Sequence, residues 1–191
     1  MNICVYCASS DHIDSAYGDA ARDMGRQLAK NGHTLVYGGG QVGLMGIVAR
    51  QVHAGDGHVV GVIPEKLKDR EGVAYDVADE LIVTQTMRER KQIMYERADA
   101  FAVLPGGYGT LEEFMEVLTL RQLGYHQRPI ALVNVNGFFD PLMEFFDRLR
   151  TQRFTRADPD TLMHVTTTPA EALARLEQNV AAPSSTTDGA F

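Results

Sequence analysis

Several stretches of this chain concentrate residue types that handle phosphate, sugar and developing charge. The first is Pro105-Gly106-Gly107-Tyr108-Gly109-Thr110-Leu111-Glu112-Glu113. It follows the apolar run Phe101–Leu104 and opens a helical pattern, so it reads as a glycine turn from strand to helix. Glycines there let backbone N–H groups approach an anion closely, and a helix N-terminus adds partial positive charge. Thr110-x-x-Glu113 also matches a capping box, which would serve the helix alone. A cap does not require Gly106, Gly107 and Gly109 together, which favours a phosphate.

The second stretch is Gly38-Gly39-Gly40-Gln41-Val42-Gly43-Leu44-Met45-Gly46, again between strand and helix. Gly39, Gly40 and Gly43 are candidates for a nucleotide phosphate or ribose contact, which is the preferred reading here; tight helix–sheet packing is the purely structural alternative. Gly38, Gly40 and Gly43 also satisfy G-x-G-x-x-G, with Glu65 near where a dinucleotide fold places its ribose-binding acid. An NAD(P)-dependent oxidoreductase is therefore one rival, although this motif follows the second predicted strand rather than opening the chain. The third stretch is Met87-Arg88-Glu89-Arg90-Lys91, whose arginines offer planar forks for phosphate or carboxylate, and whose plain reading is a solvated helical face. Fourth, Glu113 and Glu116 lie three apart on one helical face. Near a helix N-terminus a carboxylate is held ionised, which suits a base or a partner for a developing cation. Ser9 and Ser10, after the first strand, either cap the next element or touch a ligand.

These loops need a scaffold, and the hydrophobic pattern supplies one. Strand-like runs at Ile3–Tyr6, Leu35–Tyr37, Val59–Ile63, Leu81–Val83, Phe101–Leu104, Ile130–Val133 and Met163–Val165 alternate with helical stretches. The helices read as Tyr17–Lys30, Leu44–His53, Met87–Ala98, Leu111–Leu123, Pro141–Arg150 and Pro169–Val180. Such alternation predicts an α/β fold: a Rossmann-like, doubly wound parallel sheet flanked by helices, in a single domain over residues 1–180. Ligands in such folds bind beyond the C-terminal ends of the strands, where all of these loops fall. The tail 181–191 is small and polar and is expected to be disordered.

The net charge of −7 argues against general affinity for a nucleic-acid backbone but not against a small phosphorylated ligand. No apolar run is long enough to span a bilayer and no signal peptide is read, so the cytoplasm is the expected compartment. The spacing of Cys4 and Cys7 places them on opposite faces of a strand, which predicts two buried thiols rather than a redox pair. The six histidines are scattered, and no metal site is expected. Met24, Met45, Met87 and Met94 could line a base pocket, but methionine at helical spacing is more often core.

Taken together, Gly38–Gly46, Met87–Lys91 and Pro105–Glu113 resemble the LOG family, the cytokinin riboside 5′-monophosphate phosphoribohydrolases often mislabelled lysine decarboxylases. The family pattern P-G-G-x-G-T-x-x-E is met through Glu113, and its companion G-G-G-x-x-G-L-M-G from Gly38 to Gly46. Cys7-Ala8-Ser9-Ser10 and Gly61-Val62-Ile63-Pro64 extend the likeness along most of the chain. The resemblance implies a Rossmann-like homodimer without metal or redox cofactor. It implies hydrolysis of the N-glycosidic bond of a cytokinin nucleoside 5′-monophosphate, with AMP as a second candidate, releasing free base and ribose 5-phosphate. The family's catalytic arginine and glutamate fall on Arg90 and Glu113. Its substrate-binding positions fall on Glu71, Arg90, Lys91, Gly106, Gly107, Tyr108, Gly109, Thr110, Leu111 and Glu112. The decarboxylase label would imply pyridoxal phosphate, for which the four lysines Lys30, Lys66, Lys68 and Lys91 mark no visible site. A non-catalytic nucleotide or cofactor carrier would use the same glycine loops and is the leading rival.

Overall fold

The computed structural model describes residues 1–68, 72 and 76–180. Its strands are β1 (Asn2–Tyr6), β2 (Thr34–Tyr37), β3 (Val59–Pro64), β4 (Glu80–Thr84), β5 (Ala100–Val103), β6 (Ile130–Val133) and β7 (His164–Thr166). Its helices are α1 (Ser15–Lys30), α2 (Gly43–Ala54), α3 (Met87–Arg97), α4 (Tyr108–Gln122), α5 (Asp140–Thr151), α6 (Pro159–Leu162) and α7 (Pro169–Val180). The strands form one parallel sheet in the order β4-β3-β2-β1-β5-β6-β7. The chain therefore steps outward from β1 to β4, then returns to the other flank of β1 with β5. Cys4 pairs with Phe101 and Tyr6 with Val103 across that junction. Where the winding reverses, the connections leave in opposite directions and open a crevice beyond the strand ends.

The strands are near-continuous apolar runs because helices cover both faces. On one face, Met24 and Leu28 of α1, Val48 and Val52 of α2 and Leu173 and Leu176 of α7 pack against Ile3, Val5 and Leu35. On the other, Met94 of α3, Phe114 and Val117 of α4 and Phe146 of α5 pack against Cys4, Tyr6, Phe101 and Leu132. Cys4 and Cys7 thus serve opposite faces and are both free. Burial pushes both thiols well above their ordinary range, so they are inert packing groups.

The predicted order of elements stands, with shifted ends. α1 begins at Ser15, two residues earlier than the apolar pattern suggests, because the Asp14 carboxylate accepts the Ala16 N–H at 2.8 Å. α4 begins at Tyr108 rather than Leu111. The short α6 was not legible: one turn carries no periodicity, and Asp158 and Pro159 start it locally. Glu71 and the tail 181–191 lie outside the described residues. Among the described residues no helix is long and apolar enough to cross a membrane, and no group of three or more His, Cys, Asp or Glu is placed to hold a metal ion.

Candidate active site

The loop after β5 meets the loop after β1 at the switch point. The Ala8 N–H donates to the Pro105 carbonyl at 3.2 Å, and the Leu104 N–H donates to Tyr6 O at 2.9 Å. From there α4 starts at Tyr108 with Gly107 as N-cap and no side-chain cap. Leu111 N–H is bonded to Gly107 O at 3.0 Å; the N–H groups of Tyr108, Gly109 and Thr110 lie in the turn for which a helix has no acceptors of its own. Thr110 is a buried residue inside the helix, so the capping-box reading of Thr110 and Glu113 does not hold.

The glycines of this loop divide by what they meet. A Cβ at Gly106 would lie 2.1 Å from Thr110 Oγ1, so Gly106 makes room for that side chain. A Cβ at Gly107 or Gly109 would meet nothing within 4 Å, and neither has left-handed backbone. The fold does not demand glycine at those two positions. They bare the helix head toward the crevice, as an approaching anion needs. Tyr108 between them is 93% exposed.

The head of α2 is different. The Gly43 N–H donates to Asp11 Oδ1 at 2.7 Å, and the Leu44 N–H to Ala8 O at 2.9 Å. Gly43 has φ +62°, and a Cβ there would strike the Ser9 carbonyl carbon at 2.5 Å. Gly39, at φ +74°, packs against Val62 and Ile63, and Gly40 is buried beside it. These glycines join the loop after β1 to α2 and β3, and the chain's own groups occupy the donors a pyrophosphate would use. The dinucleotide reading loses its anion site by that occupation. Glu65, its proposed ribose acid, bonds to Lys68 at 3.1 Å.

Arg90 comes to the same edge from α3. That helix begins with the capping box of Thr86 and Glu89, whose bonds of 3.1 and 3.3 Å orient its first turn. Arg90 is 6% exposed. Its Nε donates to Val62 O at 3.1 Å and its Nη2 to Gly38 O at 3.0 Å, at the ends of β3 and β2. Nη1 lies 3.8 Å from the Met87 sulfur. The carbonyls hold the cation in place without neutralising it. Met87 and Met45 flank this guanidinium, while Met24 and Met94 are core.

Glu113 is half-buried one turn into α4. Its negative charge raises, and the Arg90 charge lowers, the pKa of both Cys4 and Cys7. Acidic and basic groups therefore both act on the C-terminal end of β1. Lys91 turns instead to Glu112, in a short contact, and to Glu116 at 3.1 Å. Burial of the ammonium works against its charge, but the two carboxylates outweigh it and the net shift is upward. Glu116 is tied to Lys91, and the charges of Glu113 and, more weakly, Glu116 both bear on Tyr6 at the end of β1. The sequence reading passed over Asp11, a lone acid in a loop, and assigned no role to Gly38 beyond the glycine motif.

A family model described as "Possible lysine decarboxylase" matches residues 45–176. The chain is 46% identical over 178 residues to the cytokinin riboside 5′-monophosphate phosphoribohydrolase LOG of Oryza sativa subsp. japonica, covering 93% of this chain and 73% of that protein. It is 43% identical over 178 residues to the cytokinin riboside 5′-monophosphate phosphoribohydrolase LOG2 of Arabidopsis thaliana, covering 93% and 83%. Among solved structures, the Moco carrier protein from Chlamydomonas reinhardtii shares the fold, with a TM-score of 0.73 at 23% identity over 94% of this chain and 97% of that one.

Proposed function

The chain belongs to the LOG family of cytokinin riboside 5′-monophosphate phosphoribohydrolases, and from that membership we propose that it hydrolyses the N-glycosidic bond of N6-substituted adenosine 5′-monophosphates. It is an N-glycosyl hydrolase; the products are the free base and ribose 5-phosphate. The observation that carries the reading is the bare head of α4 at the switch point, with Gly107 and Gly109 open and Glu113 one turn below.

The 5′-phosphate sits on the N–H groups of Tyr108, Gly109 and Thr110, with Gly106 and Gly107 allowing its approach. As the bond from the anomeric carbon to the base nitrogen breaks, its electron pair leaves with the base and positive charge develops on the ribose. Ionised Glu113 stabilises that charge and orients the ribose hydroxyls or the attacking water. The water oxygen bonds to the anomeric carbon, and a proton from water ends on the departing base. Arg90 fixes the phosphate or ribose side through the N–H groups that Gly38 O and Val62 O leave over. Lys91, Leu111, Glu112, Ser9 and Glu71 complete the proposed binding set, while Gly39, Gly40 and Gly43 shape the neighbouring loop by close packing rather than by donating to the substrate.

Pyridoxal chemistry fits poorly. An imine-forming lysine needs a lowered pKa, and Lys91 is shifted the other way by two carboxylates. A homodimer, turnover of AMP and a cytoplasmic location belong to the same proposal; two free, buried cysteines suit a reducing compartment.

The deciding experiment is chromatography of AMP, N6-isopentenyl-AMP and adenosine incubated with the wild type, Glu113→Ala and Arg90→Ala. Base release by the wild type alone supports the reading. Nucleotide binding without turnover would move the protein to the carrier class, and equal rates on nucleoside and nucleotide would remove the phosphate site.

A further inference from the structure

We propose that Gly38 is a positioning residue for Arg90, and that the lack of a side chain at position 38 is what seats the guanidinium at the ends of β2 and β3. The inference rests on the reading of Arg90 as a catalytic group and gives its placement a cause.

A Cβ at Gly38 would lie 1.8 Å from Arg90 Nη2, 2.9 Å from its Cζ and 3.0 Å from the Met45 sulfur. Gly38 does not share the left-handed backbone of Gly39, so its backbone has no need of glycine. What alanine would meet there is the arginine. The first atom struck is the far end of a long side chain, so the guanidinium is the group that yields. In yielding it gives up the Gly38 O bond of 3.0 Å and strains the Val62 O bond of 3.1 Å. Nη1, which those two bonds aim, moves with it. Gly38 therefore acts twice: its carbonyl holds Nη2, and its missing side chain leaves the space Nη2 fills. Met45 closes the same space from α2, so the guanidinium has no second seat on that side.

The test is a double-mutant cycle on the full chain with Gly38→Ala, Arg90→Ala and the pair, reading Tm and base release from N6-isopentenyl-AMP. Gly38→Ala should lower kcat by about 10²-fold, as a misplacement near 1 Å does, with KM changed less. In the Arg90→Ala background, Gly38→Ala should cost no further activity and no further Tm, because the truncated side chain leaves the new methyl group room. Equal Tm losses in both backgrounds, or wild-type kcat in Gly38→Ala, would overturn the inference. Should Gly38→Ala alone fail to fold, recovery of the fold in the pair supports it and failure of both overturns it. If Arg90→Ala itself turns over normally, the catalytic reading of Arg90 falls, while the Tm cycle still decides whether Gly38 seats it.

Discussion

Arg90 and Glu113 carry opposite charges and are prepared in opposite ways. Arg90 is buried and spends two of its donors on backbone carbonyls, which costs it freedom but not charge. Glu113 is half-buried one turn into α4, past the first-turn positions on which the helix dipole acts. Glu113→Gln keeps the shape and removes the charge, so kcat for base release should fall by roughly 10²-fold or more with KM changed little. Initial rates across substrate concentration measure this, and near-normal kcat would reduce Glu113 to a structural residue. Lys91 is a different case. Its partners Glu112 and Glu116 are largely exposed, and such pairs contribute at most about 1 kcal/mol. Lys91→Ala should therefore leave urea unfolding nearly unchanged while raising KM for the nucleotide. An unfolding midpoint shifted well beyond that margin would make Lys91 a structural tie between α3 and α4.

At the scale of elements, the helix heads differ in how their donors are used. α1 is capped by Asp14, α3 by Thr86 and α2 by Asp11 with Ala8, whereas no side chain caps α4. An uncapped head is a stability cost of about 1 kcal/mol that the proposed phosphate would offset on binding. Gly109 adds to that cost, since glycine within a helix is less favourable than alanine by about 1 kcal/mol. Because its Cβ position is open, Gly109→Ala should hold or raise Tm while weakening nucleotide binding. Scanning calorimetry with and without nucleotide separates the two effects. A lower Tm without ligand would mean that the fold, not the ligand, needs this glycine.

For the whole molecule, His126 and His164 are the histidines whose lowered pKa values make acid destabilising. His126 is buried; its Nε2–H donates to Val117 O at 2.9 Å, and its Nδ1 accepts the Arg128 N–H at 3.1 Å. The Arg128 contact needs an unprotonated Nδ1 and so fits only the neutral ring. Burial lowers its pKa, aided by the charges of Arg128 and Arg121 and opposed by the Val117 bond. His164 is lowered by burial and by Arg121 and Arg175. A folded pKa below the unfolded value of about 6.5 means that the unfolded chain takes up the proton first. Stability should therefore decline as pH falls below about 6.5, and go on declining until the folded pKa values are reached. Urea unfolding from pH 7 to 5 measures the slope, which should be shallower in His126→Asn. An unchanged slope would assign the acid limb to other groups.

The sequence by itself determined the sheet class and the order of the strands and longer helices, and it singled out the loops proposed to carry the site, because each is written in local pattern. Apolar runs of strand length alternate with helical periods, and glycine clusters punctuate them. The opposed faces of Cys4 and Cys7 followed from strand geometry alone. Only the tertiary structure decided which glycines the packing requires and which face open space. Gly107 and Gly38 are the same letter, but one faces open space and the other a guanidinium brought from 52 residues away. The occupied head of α2 likewise depends on Asp11 and Ala8, which reach it through the crossing of β1 beside β2. Long-range neighbours, absent from local pattern, fix what a donor or a void is for.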